Sequence, residues 1–192
     1  MATLEFKVPD DLSDNDKLRE LVLYIAERSE SDMKFGATKL NKLLFYADFL
    51  FYLYHGHSIT GQNYQKLEHG PAPRAIVPTI QALEKACDAK TVERMHYGKT
   101  QKRLIALRSA RLSGFSADEI AFVDRLLDDF RDKSASEVSD LSHKFAGWKL
   151  AKLNETIPYE VALIGRRHPT RKDIEHGLSL EGTARDILAR GN

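Results

Sequence analysis

The 192-residue chain has a single cysteine, Cys87. One thiol cannot close a disulfide within the chain, and a zinc site built on paired thiolates is excluded with it. Net charge is nearly absent as well. Lys plus Arg number 29 against 28 for Asp plus Glu, a formal +1. No long-range field of one sign is there to gather nucleic acid or an anionic membrane. Long apolar runs are also missing. The most apolar stretch, Leu43 to Tyr54, is interrupted by Asp48 and falls well short of the ~20 residues that span a bilayer. The opening MATLEFKVPDD lacks the basic-then-apolar order of a signal peptide, so the expectation is a cytoplasmic protein with no membrane association. Repeats, low-complexity segments, a G-x-S-x-G elbow and a Gly-rich phosphate loop are all lacking. Cys87 adjoins the acidic Asp88, not a basic group of the kind that activates a thiol. No nucleophile stands beside a base, and an enzyme is not expected. The seven histidines show no H-E-x-x-H or Cys/His spacing, so neither metal nor cofactor is expected.

What is present is 42% hydrophobic and 30% charged residues, the balance of a globular chain. Asp14 is a candidate cap for a first helix running to about Ser31, with Leu18, Leu21, Val22 and Ile25 on one face. Gly36 breaks the chain. A second helix from about Thr38 to Tyr54 is apolar on all sides, which places it among neighbours, and Gly56 ends it. A short strand is expected at Tyr64 to Leu67. Pro71 and Pro73 then stiffen His69-Gly70-Pro71-Ala72-Pro73. Ile76, Ile80 and Leu83 mark a third helix with Pro78 in its first turn. Residues 91–96 and 100–107 form a hairpin around Tyr97-Gly98-Lys99. Ser116 and Glu119 make a capping box for a helix with a seam of Ile120, Val123, Leu127 and Phe130, and Ser136 is a candidate cap for another. The expected fold is mainly α: a compact helical domain around a buried central helix, with a small β-hairpin or sheet, α+β at the margin. Residues 1–14 read as an arm, 15–168 as the domain and 169–192 as a helical extension.

Four pieces of sequence stand in a telling order. They are Lys42-Leu43-Leu44-Phe45-Tyr46-Ala47-Asp48, then Tyr54-His55-Gly56-His57-Ser58-Ile59-Thr60-Gly61 with Tyr64, then His69-Gly70-Pro71-Ala72-Pro73, then Leu141-Ser142-His143 with Trp148. Together they resemble the Panacea (SocA-like) antitoxin domain, over roughly residues 20–165. That family reads as a K-L-L-Y-x-A-D helix, a Y-G-x-x-I-T turn, an H-G-P-x-P loop and an L-S-H…W pattern. The chain departs from it at His57, where the family often carries a basic residue. The resemblance implies a mostly helical fold with a small β element. It also implies the role of antitoxin: neutralising a cognate toxin, usually encoded beside it, by direct protein–protein binding. Members neutralise unrelated toxins and occur in phage and prophage contexts, so the fold names no partner. The alternatives are an adaptor that delivers its bound protein to a protease, and a DNA-binding regulator of its own operon.

The residues singled out for partner binding or as motif are Tyr46, Asp48, Tyr54, Tyr64, His69, Gly70, Pro71, Pro73, His143 and Trp148. Asp48 amid aromatic side chains needs a partner. Lys66, Arg74 and the amides of the Gly70-Pro71 segment are the candidates, and a structural tie is preferred over partner contact. His69-Gly70-Pro71 is either a rigid recognition loop or a tight connection. Gly70 is expected to take a backbone angle closed to other residues. Tyr52, Tyr54, Tyr64 and Trp148 are candidate interface anchors, each of which could equally be core. For nucleic acid the hints are Lys99, Lys102, Arg103, Arg108 and Arg111 around the hairpin, and a second run of Arg166, Arg167, His168, Arg171 and Lys172. A near-neutral balance makes DNA the weaker reading.

Overall fold

The computed structural model describes residues 13–96 and 98–164. The expected arm (all but its last two residues), the extension at 169–192 and the basic run at 166–172 lie outside the described residues. Helix α1, Asp14–Arg28, is capped by the Ser13 side chain, which accepts from the Asp16 amide, so the cap stands one residue before the expected Asp14. Its face of Leu18, Leu21, Val22 and Ile25 is fully buried. Helix α2, Ala37–His55, ends at Gly56, whose left-handed φ of 78° lets its N–H reach the Tyr52 carbonyl.

Along α2 the residues Leu40, Leu43, Leu44, Phe45, Tyr46, Ala47, Phe49 and Phe51 are buried, and so are the polar Lys39, Lys42 and Asp48. The helix contacts α1, the strands at Gly70–Pro73 and Lys99–Ala106, the helices at Ala117–Phe130 and Ala135–His143, and a 3-10 turn at Tyr159–Leu163. The last turn of α2 differs, with Tyr52 half-buried and Leu53 and Tyr54 exposed. A ring cluster welds these elements. Phe45 and Phe49 lie 4.4 Å apart between centroids, and Phe145 meets both edge-on, the geometry aromatic quadrupoles favour.

Two small antiparallel sheets flank the helices. In the first, β1 (Tyr64–Leu67) lies between β2 (Gly70–Pro73) and β5 (Thr156–Ile157). Tyr64 faces Pro73 on one side and Ile157 on the other. In the second, β3 (Ala89–His96) pairs with β4 (Lys99–Ala106). Between the sheets runs α3, Ile76–Lys85, with Pro78 in its first turn as expected. The fold is therefore α+β, with small antiparallel sheets beside the helices.

Helix α4, Ala117–Phe130, has the expected Ser116–Glu119 capping box. Helix α5, Ala135–His143, has one too, but its cap is Ser134 with Glu137, not Ser136. Both serines have a polar residue nearby downstream. Only Ser134 has a glutamate three positions on that can return the bond. Helix α6, Ala146–Leu150, follows. Two buried charges tie the layers. Arg103 on β4 donates to the Ser29, Glu30 and Asp32 carbonyls beyond α1, which ties the turn after that helix to the second sheet. Glu20 on α1 accepts from Arg108 and Arg111. Burial raises its pKa, yet these bonds win and hold it at about 2. Replacing Ser134 by Ala should lower stability by about 1 kcal/mol in urea unfolding, as loss of a helix cap does, while Ser136→Ala should change it little. The opposite ranking would contradict the observed cap.

Candidate functional site

Asp48 lies on α2 in the buried interior, and the groups that satisfy it come from the segment after the helix. The Thr60 amide donates to Oδ1 at 2.7 Å, and the Thr60 hydroxyl to Oδ2 at 2.5 Å. The Tyr64 hydroxyl lies 2.6 Å from the same Oδ2 and 2.9 Å from the Leu44 carbonyl. None of the three expected partners is used. Lys66 donates to the Ala151 carbonyl, Arg74 to Gln65, the Asn154 carbonyl and Thr156, and the Gly70-Pro71 segment turns to Lys42 instead. Hydroxyls and an amide suffice because α2 and β1 bring Thr60 and Tyr64 to the carboxyl directly. Burial pushes the Asp48 pKa up, and the bonds from Thr60 and Tyr64 only partly counter it. Burial likewise lifts Tyr64 well above the usual phenol range, and the Asp48 charge adds to it.

The second cluster surrounds β2. His69-Gly70-Pro71-Ala72-Pro73 is not an exposed recognition loop: Gly70 to Pro73 form a buried strand, and His69 alone is exposed. Gly70 has a φ of 98°, as the sequence suggested. A side chain there would also start 2.5 Å from Lys42 Cε and 2.8 Å from Ser142 Oγ. Lys42, 2% exposed, donates through Nζ to the Pro71 carbonyl at 3.0 Å. From the other side, Ser139 donates to the His69 carbonyl at 2.9 Å, and Ser142 to the Ser139 carbonyl at 2.6 Å. Trp148 Nε1 donates to the Leu67 carbonyl at 3.3 Å. His143 stacks on Trp148 with centroids 4.0 Å apart, and Lys66 Nζ lies 4.3 Å from the same indole. The hairpin β1–β2 is thus clasped by α2 on one side and by α5 and α6 on the other. Burial and the Lys42 charge lower the His143 pKa.

Of the singled-out residues, Asp48 and Tyr64 meet in the first cluster, and Gly70, Pro71, His143 and Trp148 meet around the second. Pro73 is buried opposite Tyr64. Tyr46 is 8% exposed and stacked on Phe130. Tyr54 stands apart, 71% exposed at the end of α2. Thr60, Ser139, Ser142 and Lys42 carry roles the sequence reading did not assign. Thr60, Lys42 and Ser142 sit within the motif pieces, but only the folded chain shows whom they bond. The hairpin's basic residues are largely engaged: Arg103 with carbonyls, Arg108 with Glu20 and Asp88, Arg111 with Glu20. His55 and His57 both lie against Phe51.

Two predictions follow from these clusters. Asp48→Ala leaves the Thr60 amide and hydroxyl unpaired in the interior and takes one of two acceptors from Tyr64, and should cost about 3 kcal/mol in urea unfolding; an unchanged midpoint would contradict the tie. Burial lowers the Lys42 pKa to about 8, below its value in the unfolded chain. Between pH 8 and the ordinary lysine range the unfolded chain therefore binds more protons, and stability should rise with pH there relative to a Lys42→Met variant. Parallel stability–pH curves for the two proteins would show that the amine is not desolvated.

Comparison with known families adds one finding. The family model described as "Antitoxin SocA-like, Panacea domain" matches residues 40–149, more than half of the 192. The match runs from the first turns of α2 through α6 and contains both clusters. No curated protein and no solved structure matches the chain. With both clusters inside the matched span, the chain belongs to the SocA-like Panacea domain family.

Proposed function

We propose that the protein is the antitoxin of a toxin–antitoxin pair and neutralises its toxin by direct protein–protein binding, without catalysis. The observation that carries the reading is the inward direction of the family pattern. Asp48, Thr60, Tyr64, Lys42, Gly70 and Ser142 are buried and bond one another or nearby backbone. A pattern spent on holding the scaffold leaves the outer surface free to differ, which suits a domain whose members face unrelated toxins. The family's description as antitoxin supports the same reading.

Masking the toxin's active surface is the simplest mechanism, and it needs about 1,200–2,000 Å² of buried interface with a few aromatic anchors. Tyr54, 71% exposed, and its half-buried neighbour Tyr52 fit that role. Tyr64, with no exposure, does not, and Trp148 is engaged with His143, Lys66 and Leu67. Among the described residues no helix is long and apolar enough to cross a membrane. The test is co-expression with the product of the adjacent reading frame. Growth should be rescued, the two proteins should co-purify, and Tyr54→Ala should weaken the complex while leaving the unfolding midpoint in place. Rescue that survives without any complex, or no rescue at all, would overturn the proposal.

A further inference from the structure

A groove of about 400 Å³ opens beside the first turns of α2, a volume in the range of small-ligand sites. Ala37, Thr38, Asn41 and Lys42 form one wall, and Leu67 to Gly70 with Ala72 another; Leu153 and Asn154 close the end. Two independent features give it a sign. The first is Lys42. Its side chain is 2% exposed, yet its ammonium has one acceptor, the Pro71 carbonyl. No carboxylate among the described residues pairs with it, whereas the equally buried Lys39 on the same helix has Asp32 and two carbonyls. A buried ammonium with two protons unspent is expensive unless something else takes them. The second is the start of α2. Gly36 provides no side-chain cap and the first turn holds no acidic residue, so the positive end of the helix dipole is uncompensated at Ala37 and Thr38. Helices α1, α4 and α5 all have serine caps, and α4 and α5 add acidic first turns.

We propose that this groove is a carboxylate-binding site, in which Lys42 and the first turn of α2 receive a carboxylate borne on a short apolar segment. The lining chooses the ligand. Leu67, Ala72, Ala37 and Leu153 offer apolar walls, and Thr38, Asn41 and Asn154 offer neutral polar groups. One lysine matches one negative charge. Exposed Glu68 at the rim disfavours a dianion such as a phosphate monoester. A free protein C-terminus and a small organic acid both present this chemistry. The inference stands apart from the antitoxin reading, because it concerns the isolated protein and holds whichever surface meets a toxin.

The experiment is a titration of the ¹⁵N-labelled full chain with four probes: acetyl-Ala-Leu-Leu with a free carboxylate, its C-terminal amide, butyrate, and inorganic phosphate. The peptide acid should shift the amide signals of Ala37, Thr38 and Gly70 and bind about tenfold or more tightly than the amide, the worth of one charge-assisted bond. Butyrate matching the peptide acid would support the site and assign it to small organic acids; weaker butyrate would support it and assign a chain terminus. Lys42→Met should abolish binding. Asn41→Asp, at a half-buried position whose side chain makes no hydrogen bond among the described residues, should weaken it about tenfold by like charge. Equal binding of acid and amide, binding of phosphate alone, shifts confined to other regions, unchanged affinity in Asn41→Asp, or no binding at all would each overturn the proposal.

Discussion

A buried carboxyl group held by two hydroxyls and an amide rather than by an ion pair among the described residues keeps the two halves of this domain in register. Asp48 lies in the most apolar part of α2, and Thr60 and Tyr64 reach it from the chain that follows. Because the Tyr64 hydroxyl also touches the Leu44 carbonyl one turn earlier, strand β1 cannot slide along the helix without losing several bonds at once. In a low-dielectric interior the penalty for an unmade bond is larger than the gain from a made one. The interaction therefore specifies position more than it adds stability. Tyr64 then fixes β2 and β5 through its place in the middle of the sheet.

The second cluster depends on that placement. With β1 fixed, β2 comes close enough to α2 that only glycine fits at position 70, and the Lys42 ammonium meets the Pro71 carbonyl. Helices α5 and α6 close over the hairpin through Ser139, Ser142 and Trp148. The four motif pieces, three within residues 42–73 and the fourth at 141–148, are joined in one contact network. Such a network accounts for a recognisable pattern without requiring that any of its members touch a partner. The exposed end of α2 at Tyr54 lies outside that burden, whereas the groove beside its beginning shares Lys42 and Gly70 with the network.

Lysines 39 and 42 show how much the environment decides. They lie one turn apart, are equally buried, and differ in partners: a carboxylate and two carbonyls for Lys39, one carbonyl for Lys42. Burial then drives the Lys42 pKa down to about 8. No spacing rule separates the two residues.

Much of the architecture was legible from local chemistry. Apolar spacing placed α1, α2 and α4, Gly56 marked the end of α2, Ser116 and Glu119 the start of α4, and Pro78 the first turn of α3, because each signal acts within a few residues. The motif pieces themselves named the family. Where two local signals competed, as between Ser134 and Ser136, the returning glutamate decided, and reading only the serine missed it. Long-range partnerships were beyond that reading. A sequence states that Asp48 must be satisfied, but Thr60 and Tyr64 win over Lys66 and Arg74 because the turn after α2 delivers them first. The prolines of His69-Gly70-Pro71-Ala72-Pro73 announce an extended segment; that it is a buried strand and not an exposed loop follows only from its pairing with β1 and its cover by α2 and α5, since burial is a property of neighbours and not of the residues themselves.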